Sequence, residues 1–381
     1  MKFLQSILRT LVLLAAGAAA LLLPQVVARG ISDGVQLCIS VVVPSLFFMM
    51  LLSVLLVQCG AVEKAAPLLT PLARSLFGMP GEGAAALLLT VVGGYPAGAK
   101  AVCSLYQRGA VSKAQAQRMA MVCFCSGPAF VLGAVGAMVG SSRAVLLLCV
   151  QLAVLFPVGI VARLLVPAEE TTFQNKERKR EQTKKPKRTA PKEESDFASA
   201  VVVSVEQTAS ALLKVCLFVA LFSAVGAVLR HVGADGVLCR LTSGVFSEET
   251  ARALLPVVLE VTAGTTAAVQ AGLPAVAFAL GFGGIAVHMQ VLAICRPIGI
   301  DYSRFLLLRL LQGALCALLT GLMLPLLKDE AVAALSAGQT RLAFSSAPTG
   351  AATLLVMCIM YTLCTGYQLN SIDIAKGRKT V

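Results

Sequence analysis

Long apolar runs decide what this chain can become. Stretches poor in charge occur at about 4–24, 35–59, 118–139, 144–166, 207–230, 274–292, 304–327 and 350–368. Each is long enough to cross the hydrocarbon core of a bilayer as a helix. Soluble domains carry about 25% charged residues. Here the figure is 13%, against 57% hydrophobic, too little charge to cover a water-facing surface. The pattern predicts an all-α polytopic membrane protein with the lipid bilayer as its first partner.

The net charge of +13 does not point to nucleic acid. Much of the excess sits between Lys176 and Lys192, and most of the rest at segment ends, as cytoplasmic positive charge does in membrane proteins. Residues 168–196 mix lysine and arginine with glutamate, threonine and proline and cannot build a core. They read as a basic cytoplasmic linker. The amino terminus, this linker and the tail Lys376, Arg378, Lys379 are all basic, which places all three in the cytoplasm. Leu4 to Leu23 is longer than a signal-peptide core and reads as a retained first helix.

Two further apolar stretches, about 83–107 and 250–270, are interrupted. The first breaks at Gly93-Gly94-Tyr95-Pro96-Ala97-Gly98, the second at Thr262-Ala263-Gly264-Thr265-Thr266. A broken helix exposes backbone polar groups, which a membrane tolerates only where they line a cavity or are buried in protein. The halves on either side of the linker share landmarks in order. Gly93 parallels Gly264, Phe124-Cys125-Ser126-Gly127 parallels Phe282-Gly283-Gly284, and Ser142-Arg143 parallels Ser303-Arg304. The division expected is 1–34 first helix and loop, 35–167 first repeat, 168–196 linker, 197–328 second repeat, and 329–381 loop, last helix and basic tail. If each interrupted stretch is a re-entrant hairpin, each half makes three crossings. The halves are then inverted, a common plan of secondary transporters.

Val43-Pro44-Ser45-Leu46-Phe47, Gly93-Gly94-Tyr95-Pro96-Ala97-Gly98, Ser126-Gly127-Pro128, Glu260-Val261-Thr262-Ala263-Gly264 and Phe282-Gly283-Gly284-Ile285-Ala286-Val287-His288 together resemble the YlbJ/SpoVV sporulation integral membrane proteins. These carry the nucleoside-recognition, or Gate, domain. The resemblance runs from about Leu37 to Leu327. It implies an inverted-repeat helical bundle with two broken or re-entrant hairpins, like the core of concentrative nucleoside transporters. It also implies a place in endospore formation, at the outer forespore membrane, and dipicolinic acid as cargo.

Independently of that resemblance, the residues themselves suggest a site. Gly93, Gly94 and Gly98 let a ligand approach the backbone. Tyr95 and Pro96 stand at a new helix amino terminus, whose free N–H groups and dipole favour an anion. Lys100 follows. Glu260 is the acid of the second broken segment, and an intramembrane carboxylate is a candidate for carrying a coupling proton or sodium ion. Thr262, Thr265 and Thr266 add hydroxyls around Gly264. Gly283 and Gly284 with His288 and Gln290 form a hydrogen-bonding wall, and Ser126 and Gly127 are its counterpart in the first half. Lys214 and Arg309, also in apolar runs, read as helix-end or structural partners.

Cysteines lie in or near apolar stretches at no ligand spacing, which argues against a metal. Neither a nucleophile–histidine–acid set nor a phosphate loop is found, so no cofactor is expected and the chain does not read as an enzyme. The leading expectation is a transporter or permease for a small anion. A nucleoside or small-metabolite transporter and a non-transporting scaffold for spore formation are the alternatives. A homo-oligomer is compatible with all three.

Overall fold

The computed structural model describes residues 2–58, 70–71, 73–74, 78, 81–166 and 197–326. Among them every regular element is helical. The 350–368 run, the linker at 168–196 and the basic tail lie outside the described residues.

Helix α1 (Lys2–Leu22) gives way to α2 (Pro24–Leu37) at Leu23, which leaves helical geometry. Proline lacks an N–H to donate, so at a first turn it opens a helix instead of ending one. α2 passes through a π-helical turn, Cys38–Val42, into α3 (Val43–Gln58). Residues 24–34, expected as a loop, are therefore the start of the second long helix.

The first interrupted stretch is a hairpin of α4 (Gly83–Gly93) and α5 (Tyr95–Gln107). Gly94 alone joins them, at φ 77° and ψ −165°, a region essentially closed to residues with a Cβ. Pro96 in the first turn of α5 keeps the two arms from fusing into one helix. The arms fold back on one another so that Gly98 faces Thr90. Next comes α6 (Lys113–Val122), opened by a capping box in which Ser112 and Gln115 satisfy each other's backbone N–H groups. The chain then leaves the helix for Cys123–Gly127 and resumes as α7 (Ala129–Val139). The 118–139 run is thus interrupted at the Ser126-Gly127 that the sequence sets against Gly283-Gly284, and the break begins earlier, at Cys123, where the apolar residues gave no signal. α8 (Ser141–Leu165) closes this half.

The second half repeats the order. α9 (Phe197–His231) is the long helix, and α10 (Ala234–Thr242) follows it. α11 (Glu248–Leu259) and α12 (Val261–Ala271) form the second hairpin. Its joint is Glu260, at φ −153° and ψ 137°, and not the Thr262–Thr266 run. Those threonines are helical, because the Thr265 and Thr266 hydroxyls both donate to the Thr262 carbonyl and need no break in the chain. α13 (Leu273–Phe282) and α14 (Gly284–Ile294) are a helix broken at Gly283, matching the break between α6 and α7. α15 (Tyr302–Met323) parallels α8.

Among the described residues, five helical stretches are long and apolar enough to cross a membrane: Pro24–Leu56, Ser141–Leu165, Ala198–His231, Leu273–Ile294 and Tyr302–Met323. Their outward faces carry Leu164, Leu217, Leu318 and Leu322, all more than half exposed, while Gln151, Gln312, Arg309 and Glu260 are buried. Apolar outside and polar inside is the arrangement that lipid selects. Lipid supplies little drive for helices to associate, so close packing of small residues does that work. α2 meets α9 in this way. A Cβ on Gly30 would lie 2.7 Å from the Ala224 Cα, and one on Gly34 would lie 2.7 Å from the Ala220 Cα.

Candidate functional site

Four helix interruptions meet in pairs at the middle of the bundle. In the first half the hairpin joint abuts the break of the following helix: a Cβ on Gly94 would lie 2.8 Å from the Gly127 nitrogen. The second half repeats this contact, since a Cβ on Gly284 would lie 3.0 Å from the backbone of Glu260. Three of the four, Gly94, Gly127 and Glu260, border one small cavity of about 70 Å³, and the helix that follows the fourth completes its wall. Gly93 to Pro96 line it from the first hairpin, Gly127 from the first broken helix, Glu260 and Thr262 from the second hairpin, and Gln290 from α14.

Glu260 is 3% exposed. Its Oε2 accepts from the Ala263 N–H at 2.8 Å, capping α12, where the positive end of the helix dipole stabilises a carboxylate. No ion pair joins it to Lys100 among the described residues. One flank of this carboxylate borders the central cavity.

Side chains from both halves brace the junction. The Tyr95 hydroxyl, in contact with the Ser126 hydroxyl, donates to the Leu280 carbonyl, so the first hairpin is pinned to the second broken helix. Gln151 accepts from the Ser126 N–H at 3.1 Å. Gln312 donates to the Phe124 carbonyl at 3.0 Å. Arg309, fully buried, donates to the Met121 carbonyl and to Gln312, with its guanidinium 4.3 Å from the centre of the Phe124 ring. It therefore sits on the carbonyls that α6 leaves open where it stops, the negative end of that helix. The sequence reading of Arg309 as a structural partner agrees with this placement. It missed Gln151 and Gln312, although each stands eight residues after the arginine of a Ser-Arg pair, Arg143 and Arg304.

The remaining predicted residues divide by position. Gly98, Gly264 and Thr265 lie between the arms of their hairpins, Gly264 against the Val257 backbone. Gly283 packs on the Phe124 ring. His288 is fully buried, with Nε2 2.8 Å from the Phe282 carbonyl and its ring edge-on to Phe305. It braces the break at Gly283 and does not line the central cavity.

Lys100 and Thr266 line larger cavities on either side of the central one. Lys100 faces a cavity of about 320 Å³ together with Ser104 and Arg108 of α5 and Gln207 of α9. Thr266 faces a cavity of about 350 Å³ shared with Asp33, Arg230 and Glu260.

Residues 39–143 match the Gate family, described as nucleoside recognition. The Gate segment runs from the π turn ahead of α3 to the first turn of α8, and so contains the first hairpin and the first broken helix. Over a longer span, the chain is 29% identical over 323 residues to the sporulation integral membrane protein YlbJ of Bacillus subtilis (strain 168), covering 77% of this chain and 76% of that protein. The resemblance drawn from the sequence motifs is borne out by both. No solved structure matches.

Proposed function

We propose that this chain is a secondary transporter or permease for a small anionic solute, with the crossing of the four helix interruptions as its binding site. The observation that carries the reading is that convergence: unwound backbone, a helix amino terminus and a buried carboxylate face one cavity inside an otherwise apolar bundle. Such breaks are the usual substrate and ion sites of transporters built from repeats. The two halves, alike in element order, are taken as inverted repeats. The linker and both termini then lie in the cytoplasm. Glu260 is the group proposed to carry a coupling proton or sodium ion.

An anion is favoured by Lys100 and Arg108, which line the cavity nearest the first hairpin. Dipicolinate, a small dianion, is the proposed cargo, through the likeness to a sporulation membrane protein, and the outer forespore membrane is the proposed location. The description of the Gate family favours a second reading, a nucleoside as the solute.

Lys100→Gln separates the two. Removing one cationic partner of a dianion costs about 1.4 kcal/mol, roughly tenfold in affinity, whereas a neutral nucleoside loses little. Thermal stabilisation of the purified protein by dipicolinate and by a nucleoside is the measurement. Weakened dipicolinate stabilisation with no change for the nucleoside is expected. Equal stabilisation of both proteins by dipicolinate would show that Lys100 takes no part in holding the anion.

A further inference from the structure

The three cavities share walls. Met50 and Gly93 line both the Lys100 cavity and the central one, and Glu260 lines both the central cavity and the one at Thr266. One face of α9 runs past all three. Gln207 and Ala211 border the first, Val215 the second, and Gly226 and Arg230 the third. These positions fall at intervals of four and eleven residues, so they form one band that winds by about 140° round the helix from end to end. From Gln207 to Arg230 the helix rises about 34 Å, slightly more than the ~30 Å hydrocarbon core.

From this we infer that the solute's route is a single path along the inner face of α9, with two vestibules on opposite sides of the membrane. A short apolar barrier of Leu46, Met50 and Val215 at the central cavity closes it. The vestibules differ in charge. The first presents Lys100 and Arg108, and the second presents Asp33 and Glu260 beside Arg230. The end of the bundle nearest the first vestibule also carries Lys113, and its Arg118 and Arg304 are tied to the carbonyls of Val166 and Leu165 where α8 runs out towards the linker. That concentration of cations marks it as the cytoplasmic end. The central cavity, at about 70 Å³, is smaller than the ~300 Å³ at which ligand pockets begin. Passage therefore requires the barrier to open, and the cationic vestibule is where an anion waits.

The route rests on the transport reading, but its test needs no solute. In a cysteine-free background, Ser104→Cys marks the first vestibule and Thr266→Cys the second. Both are small, polar lining positions. A charged, membrane-impermeant thiol reagent is applied to vesicles of each orientation. Ser104→Cys should react only from the cytoplasmic side and Thr266→Cys only from the opposite side. Adding Val215→Gly with Met50→Ala should let the reagent reach Ser104→Cys from the far side. Reaction of both from one side, reaction of neither, or no effect of the barrier substitutions would overturn the route. Solute uptake in the same vesicles keeps the two claims apart. Opposed labelling without uptake retires the cargo and leaves the path, and uptake without opposed labelling does the reverse.

Discussion

Arg309→Met should leave a protein that inserts but no longer holds its native core. The guanidinium donates to the Met121 carbonyl and to Gln312, and it lies against the rings of Phe124 and Phe305. Hydrogen bonds to a charged group contribute about 1.5–3 kcal/mol each, and a desolvated cation–π contact about 2 kcal/mol. Methionine fills much of the volume but leaves the Met121 carbonyl bare where α6 stops. Relief of the buried charge offsets part of this loss. A net cost of about 3 kcal/mol follows, a large share of any membrane protein's margin. Thermal unfolding in detergent, followed by size-exclusion chromatography, measures it. A midpoint within a degree or two of the parent would show that the arginine is dispensable to the break.

Gly94→Val should abolish transport. Valine cannot adopt φ 77° and ψ −165° without strain, and its Cβ would fall 2.8 Å from the Gly127 nitrogen. Strain at such a position is about 1–3 kcal/mol before the clash is counted, enough to reduce the native junction by roughly a hundredfold. Gly236→Val is the control, because a Cβ there meets nothing within 4 Å and the residue lies in α10, away from the cavities. Flux should disappear in the first variant and persist in the second. Retained flux in Gly94→Val would mean that the first hairpin joint is not part of the site.

How much of this was legible in the sequence depends on the kind of signal. The joint at Gly94 was legible because glycine and proline act locally, and Gly-Gly-Tyr-Pro leaves the backbone few options. The joint at Glu260 was misplaced by two residues. Gly264 and the threonines looked like breakers, yet Gly264 is there for close packing on Val257, and the threonine hydroxyls are satisfied within the helix. Of the break at Cys123–Gly127 only the end, Ser126-Gly127, was legible, because Cys123 to Cys125 are apolar. Its supports, Arg309, Gln312 and Gln151, act across the chain, 188 residues away for Arg309 and Gln312, and no local pattern reveals such partners. Gly30 and Gly34, which pack on α9, fell in a stretch expected as a loop and were not read as a packing pair. The assembly of the site from both halves required the fold.

The central claim is transport of a small anion through the crossing of the helix breaks. Uptake of labelled dipicolinate and of a labelled nucleoside into liposomes holding the purified protein tests it most directly, with Glu260→Gln run alongside. The account predicts dipicolinate uptake above that of protein-free liposomes, little nucleoside uptake, and loss of ion-driven accumulation in Glu260→Gln with the protein still inserted. Uptake of neither solute by correctly inserted protein would contradict the account.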